Sequence, residues 1–241
     1  MNAPKTPVLT LVTVTKNCAT SIEATLRSVA AIKQSGIEYI VVDGVSIDGT
    51  IEKITATGPL VDTLISEPDT GIYNAMNKAV SKAKGHYIAF INGDDELISD
   101  GFGPLLAALQ TRQSNIVCGT TLVGSKERPD ERLICEPWKL LFHNSVPHPS
   151  SFVSRDLLTR RPFREDLKIA SDYDFFLGCF LAREHFVRID ANVALHQRGG
   201  ASSNARQSEL EVARVRREKL GWLLPLADAG RSTYRTIARA G

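Results

Sequence analysis

The feature that most restricts the fold of this chain is a rhythm in its first half. Four apolar runs, VLTLVTV (residues 8–14), IEYIVVDG (37–44), VDTLIS (61–66) and HYIAFI (86–91), alternate with helical patterns. The first helical pattern carries Ile22, Leu26, Val29 and Ala30 at three- and four-residue spacing. Thr20 and Glu23 give it a capping-box start and Gly36 ends it. A short helix follows Asp48-Gly49-Thr50. Ile72, Ala75, Met76, Ala79, Val80 and Ala83 line one face of a third helix, which Gly85 stops. This alternation predicts parallel strands joined by right-handed crossovers. The nearly unbroken apolar run at 37–44 predicts a strand covered on both faces. In such sheets ligands bind beyond the carboxyl ends of the strands. The acidic and glycine-rich segments DGVSIDGT, EPDTG and NGDDE all follow strands, so one cleft would collect them.

Composition narrows the class. The 241 residues suit one large α/β domain or two small ones. With 43% hydrophobic and 23% charged residues, wholesale disorder and coiled-coil or collagen-like chains are excluded. A net charge of +2 gives no electrostatic footprint for nucleic acid. No stretch approaches the roughly 18 apolar residues needed to span a bilayer. The N-terminal apolar stretch is threaded with threonine and reads as a strand, without the design of a secretory leader. Cys18, Cys118, Cys135 and Cys179 lack CxxC spacing, so neither a zinc site nor a disulfide framework is expected. The reading is a reduced, cytosolic compartment.

The second half is less regular. NIVCGTTLV (115–123) reads as a strand and GSKERPDER as a charged turn or hairpin loop. The proline-punctuated WKLLFHNSVPHPSSF mixes aromatic and polar groups, as functional loops do. SDYDFFLGCFLA starts a helix expected to face the core with Phe176, Leu177, Phe180 and Leu181. From His196 onward nine Lys/Arg stand against four Asp/Glu, which marks this end as a separate basic extension. Within it, ARVRREKLGWLLPLA joins positive charge to Trp222, Leu223 and Leu224. That combination suits either an anionic membrane surface or a helix packed on the main domain with solvated arginines.

Several segments carry candidate chemistry. In INGDDEL (91–97), three consecutive acids after a buried strand repel one another. A divalent cation with bound phosphates resolves that repulsion, and hard oxygen ligands suit Mg²⁺ or Mn²⁺. The alternative is a solvated turn in which Asp94 or Asp95 caps the next helix. DGVSIDGT puts Asp43 at a strand tip, able to accept from a nucleobase ring N–H, while Asp48-Gly49 also fits simple turn chemistry. EPDTGIYNAMNKA sets a loop against a helix N-terminus, where amides and the dipole favour anions. Lys78 is a candidate phosphate partner there, Asp69 or Thr70 a cap or a ligand contact, and Asn77 a polar residue set between core positions. In IASDYDF, Asp172 and Asp174 precede an apolar helix, as caps or as a general base. His148 and His196 are candidate substrate or metal contacts, or structural residues.

Taken in order, VTVTKN, VVDGVSIDGT, SEPDTGIYNAMNKA, AKGHYIAFINGDDEL, HPSSF, IASDYDF and RGGAS resemble the family 2 inverting glycosyltransferases. The likeness is greatest to the bacterial branch that builds surface polysaccharides such as colanic acid and O-antigen. It runs from about residue 8 to residue 202. The resemblance implies an α/β GT-A (Rossmann-like) fold: a central, mostly parallel sheet flanked by helices, plus a helical C-terminal extension. It implies a nucleotide-sugar donor (UDP-, GDP- or dTDP-linked) and Mg²⁺ or Mn²⁺. By carry-over, Thr13 and Asn17 lie beside the nucleotide and Asp43 contacts the base. Asp94 lies near the ribose, Asp95 binds the metal and Asp172 is the catalytic base. Asp69, Asn77 and Lys78 complete the expected donor contacts, with His148, Asp174 and His196 as acceptor or diphosphate contacts. Three positions depart from the family pattern. Asn92 stands for the first Asp of DXD, Asn74 for the Asp of GIYDAMNKG, and Ser171 for the Glu of the ED motif.

The expected organisation is a glycosyltransferase domain at 1–202, with a nucleotide-binding half to about 100 and an acceptor-binding half beyond it. A basic helical extension follows at 203–241. The expected reaction is a single displacement at the anomeric carbon onto a hydroxyl of a glycan or polyprenyl-linked acceptor. It would take place in the cytoplasm or peripherally on the inner face of the membrane. Two other readings compete. A sugar nucleotidyltransferase would carry a glycine-rich N-terminal loop, which VTVTKNCAT lacks. An inert nucleotide-sugar-binding subunit would not need the set Asp43, Asp95 and Asp172.

Overall fold

The computed structural model describes residues 6–125, 128–196, 204–225 and 227–228. The four apolar runs become β1 (Leu9–Thr15), β2 (Ile37–Asp43), β3 (Thr63–Ser66) and β4 (Tyr87–Phe90), all parallel to one another. Every residue of β1 and β2 is buried, as a strand sandwiched between helix layers requires. The crossovers are α1 (Ile22–Ile32), α2 (Thr50–Thr55) and α3 (Ile72–Lys82). Gly85 lets α3 return to the sheet, since a Cβ there would sit 2.4 Å from the backbone nitrogen of Thr10.

The second half adds β5 (Asp95–Leu97), α4 (Phe102–Thr111), β6 (Ile116–Gly124) and β7 (Pro129–Leu133). It continues with β8 (Ser151–Ser154), α5 (Arg155–Arg160), α6 (Ser171–Leu181), β9 (Phe186–His196) and α7 (Ala205–Leu220). The sheet order is β3-β2-β1-β4-β8-β6-β9-β5, with β7 paired to the far end of β6. The β1–β4 half is parallel, whereas β4–β8, β8–β6, β9–β5 and β6–β7 are antiparallel. Apolar side chains bury both faces. Leu9, Leu11, Tyr39 and Val41 pack under α1 and α4, and Val12, Val14, Ile40 and Val42 pack under α3 and α6.

Two local expectations are corrected. The N-cap of α1 is Ser21, not Thr20, and it makes no side-chain cap bond. Its hydroxyl donates to the Gly93 carbonyl instead (2.7 Å), and Glu23 pairs with Lys53 (3.3 Å). On α6, Phe176 and Leu177 are buried and Phe180 partly so, but Leu181 is 40% exposed because the helix turns its last residue to solvent. No described helix is long and apolar enough to cross a membrane. The RGGAS segment and residues 229–241 of the basic extension lie outside the described residues.

Candidate active site

A cleft of about 940 Å³ opens beyond the ends of β1 and β4. Asn17, Asp69, Asp94, Asp95, His148, Asp172 and His196 all line it. Residues as far apart in the chain as Asn17 and His196 are therefore brought to one place.

The NGDD segment is held from below by α1. Besides the bond from Ser21, the Thr25 hydroxyl donates to the Asp95 carbonyl (2.7 Å). Asp95 is fully buried because it begins β5 and pairs directly with His196 of β9, which excludes the reading of a solvated helix cap. His196 Nδ1 lies 2.6 Å from Asp95 Oδ1, and this contact raises the imidazole's proton affinity despite its burial. The other oxygen, Asp95 Oδ2, is buried and has no hydrogen-bond partner among the described residues. A buried unsatisfied carboxylate oxygen is costly, so this one awaits a cation or a donor. Burial and the neighbouring Asp95 charge push the Asp94 carboxyl upward. Among the described residues no group of three His, Cys, Asp or Glu side chains stands ready to hold an ion. Mg²⁺ and Mn²⁺ do not require one when a substrate diphosphate completes the octahedron. Asp95 Oδ2 with Asp94 beside it therefore fits such an ion.

Opposite these acids, α6 presents Asp172 at its second residue. Tyr73 of α3 donates its hydroxyl to Asp172 Oδ1 (3.1 Å) and to the Ile169 carbonyl (2.6 Å). Burial, followed by the Asp172 charge, raises the Tyr73 hydroxyl well above its ordinary value, so it stays a donor. Asn144 Nδ2 donates to Asp172 Oδ2 (2.9 Å). Each carboxylate oxygen thus keeps a free lone pair while its direction is fixed. His148 lies between, with Phe90, Phe163 and Phe176 at ring distances of 5.5, 5.7 and 6.2 Å. Burial lowers its proton affinity, opposed by the charges of Asp172 and Asp95. The net effect favours the neutral imidazole.

The β2 loop fastens the cleft's rim. Asn17, at φ 52°, accepts from the Ile47 amide (3.0 Å), and its own amide donates to Ser46 Oγ (2.8 Å). Asp48 accepts from the Ala19 amide and from Thr50, so Asp48-Gly49 is turn chemistry that also stitches two loops. Asp43 is buried beneath this loop, and its carboxylate accepts from the Ser46 amide, Ser46 Oγ and Ser66 Oγ. Asp69 Oδ1 accepts from the Gly71 amide (2.9 Å) and shapes the turn into α3.

Five expected contacts are placed elsewhere, the first being Asp43, which is fully buried, bonded to Ser46 and Ser66, and does not line the cleft. Thr13 is fully buried against the Tyr39 hydroxyl (2.8 Å), facing the helix layer and not the cleft. Asn77 brackets the chain at Phe163 and Glu165 through three hydrogen bonds of 2.9–3.0 Å. Lys78 is taken up by Glu67 and the Pro68 carbonyl. Asp174 points away from Asp172 and pairs with Arg164 and Lys219. Conversely, Tyr73, Asn144 and Lys168 line the cleft although sequence reasoning did not single them out. Lys168, a cation four residues before Asp172, was the detectable signal. Asn144 offered none.

A mixed sheet with acids gathered beyond its parallel strands is the GT-A arrangement of glycosyltransferases. The comparisons agree. The family model for glycosyl transferase family 2 matches residues 10–178. A PGL/p-HBAD biosynthesis glycosyltransferase of Mycobacterium bovis is 30% identical over 181 residues, 72% of this chain and 70% of that protein. The TuaG protein of Bacillus subtilis, a putative teichuronic acid biosynthesis glycosyltransferase, is 26% identical over 58% of this chain and 57% of its own length. Among solved structures, S. aureus TarS bound to UDP-GlcNAc superposes with a TM-score of 0.72 at 18% identity, covering 88% of this chain and 66% of that one. PcManGT from Pyrobaculum calidifontis, bound to GDP-Man and Mn²⁺, gives 0.62 at 18% identity, covering 98% and 76%. This chain belongs to glycosyl transferase family 2 and is a glycosyltransferase.

Proposed function

We propose that this glycosyltransferase transfers a sugar from a UDP-, GDP- or dTDP-linked donor to a hydroxyl of a glycan or polyprenyl-linked acceptor, with inversion at the anomeric carbon. The setting is polysaccharide or glycoconjugate biosynthesis in the cytoplasm. The observation that carries the proposal is the convergence of Asp94, Asp95 and Asp172 on one cleft. The donors and Mn²⁺ bound by similarly folded proteins support the choice of ligand class.

Asp172 is the general base. With Tyr73 and Asn144 fixing its two oxygens, it accepts the acceptor hydroxyl's proton as the new C1–O bond forms and the bond to the diphosphate breaks. Asp95 Oδ2 would hold Mg²⁺ or Mn²⁺, with Asp94 beside it near the ribose, and the ion would supply charge neutralisation for the departing diphosphate. Asn17 and Asp69 border the nucleotide, and Asp43 orders the loop against which the base lies. His148 and His196 face the diphosphate and acceptor. Holding donor and acceptor in register supplies much of the remaining acceleration.

Peripheral contact with an anionic membrane face through Arg217, Leu223 and Trp222, the last 83% exposed, belongs to the same reading. The rest of the basic stretch is used internally. Arg214 pairs with Asp166 and Glu218, and the buried Arg216 pairs with Asp228.

A panel of nucleotide sugars incubated with purified protein, Mg²⁺ or Mn²⁺ and lipid-linked glycans tests the proposal by released nucleoside diphosphate and by the product's anomeric configuration. An inverted product supports it. A retained configuration, or no release from any donor, overturns it.

A further inference from the structure

The start of α6 lacks any side-chain cap of its own. Its N-cap is Ala170, and neither Asp172 nor Asp174 bonds back to the exposed amides. A helix that begins in the protein interior needs partners for those groups. The amides of the three residues that lead into the helix are held from α7, outside the segment matched by the family model. The Glu211 carboxylate accepts from three successive amides, Lys168 (3.0 Å), Ile169 (2.8 Å) and Ala170 (3.0 Å). Three consecutive N–H groups turned toward one anion form a nest at a helix N-terminus, where charge and dipole act together. Gln207, one turn earlier, donates to Glu211 Oε1 (3.1 Å) and sets the side chain's direction.

The held segment connects directly to the cleft. The Lys168 ammonium donates to the Thr70 carbonyl (2.9 Å), and the Ile169 carbonyl accepts from the same Tyr73 hydroxyl that bonds Asp172. Asp172 follows two residues after the last clamped amide. Further along α7, Arg214 and Glu218 pair with Asp166 and Arg164, and Lys219 pairs with Asp174, fastening both sides of the same stretch.

We propose that Glu211 is a positioning residue for sugar transfer: its carboxylate, reaching from α7, fixes residues 168–170 and through them the orientation of Asp172. The proposal rests on Asp172 being the base. It makes the C-terminal helix part of the catalytic apparatus, although that helix contributes no group to the cleft. Glu211 itself is not a second base, since all its bonding is directed at amides.

The test is a double-mutant cycle on the full chain, with single-turnover transfer rates and Mn²⁺-dependent binding of UDP or GDP as separate readouts. Glu211→Ala is expected to lower the transfer rate roughly 10- to 100-fold, the scale of a misplaced reacting group, with nucleotide affinity unchanged. Glu211→Gln, which keeps one acceptor oxygen, is expected to recover part of that loss. In an Asp172→Asn background, adding Glu211→Ala is expected to change nothing further, because the group being positioned has already gone. An equal loss in both backgrounds, or a wild-type rate in Glu211→Ala, overturns the proposal. Should Glu211→Ala not fold, as judged by lost nucleotide binding, Glu211→Gln carries the same cycle. Near-normal turnover in Asp172→Asn alone refutes the base assignment, and no Glu211 variant is needed to see it.

Discussion

His196 and Asp95 face each other across the β5–β9 pairing, with Nδ1 and Oδ1 2.6 Å apart and the carboxylate fully buried. The imidazole satisfies one carboxylate oxygen and leaves the other turned to the cleft. Removing it orphans both. His196→Ala should therefore destabilise the metal-free protein by about 1–3 kcal/mol, the usual cost of a buried group left unpaired. Thermal or denaturant unfolding in EDTA checks this. Unaltered stability would show that the pairing carries no weight.

Asn77 distinguishes a binding role from a structural one. Its amide bridges α3 to Phe163 and Glu165, away from the cleft. Asn77→Ala should lower stability by about 1–3 kcal/mol while nucleotide affinity with Mn²⁺ stays at the wild-type value. Calorimetric titration beside a denaturation curve separates the two. Lost affinity with full stability would return Asn77 to the donor site.

Much of the first half of the molecule was legible in the sequence because its signals are local. The β1–β4 runs and the α3 face repeat at periods that only one element type satisfies. What lay beyond reach depends on partners far along the chain. β5 is three residues, Asp95–Leu97, and becomes a strand only because His196 arrives opposite Asp95. Thr13 and Asn77 sit in motif segments, yet Tyr39 and Phe163 decide which way they turn. Asn144 and Glu211 carry no local pattern. Their meaning comes from Asp172 and the amides before it. The acids of the cleft were readable as residues, and their division of labour only as geometry.

His148 should make stability depend on pH. Burial among three phenylalanines lowers its proton affinity, so the unfolded chain takes up a proton near the ordinary value of about 6.5 while the folded protein does not. Stability from this site is present above that value and is lost as pH falls through it toward the depressed folded value. Comparing wild type with His148→Gln between pH 7.5 and 5.5 isolates the effect, since other groups titrate in both. The wild type should lose more stability than the variant over that interval. Parallel curves would contradict a lowered proton affinity at the half-buried His148.

Tyr73 and Asn144 hold Asp172 from opposite oxygens. Tyr73→Phe and Asn144→Ala should each reduce kcat roughly tenfold by loosening that alignment, with donor KM little changed. Steady-state kinetics under saturating acceptor provides the comparison. A change confined to KM would mean that these side chains serve ground-state binding alone.

The division between the two acids is best tested by measuring Mn²⁺-dependent nucleotide binding and sugar transfer side by side in Asp95→Ala and Asp172→Asn. Asp95→Ala should lose the metal-dependent part of binding. Asp172→Asn should bind like wild type and transfer slower by roughly 10²–10⁴-fold, the contribution of a positioned base. If both variants lose binding together, or if Asp172→Asn transfers normally, the assignment of cation and base to opposite walls of one cleft is wrong.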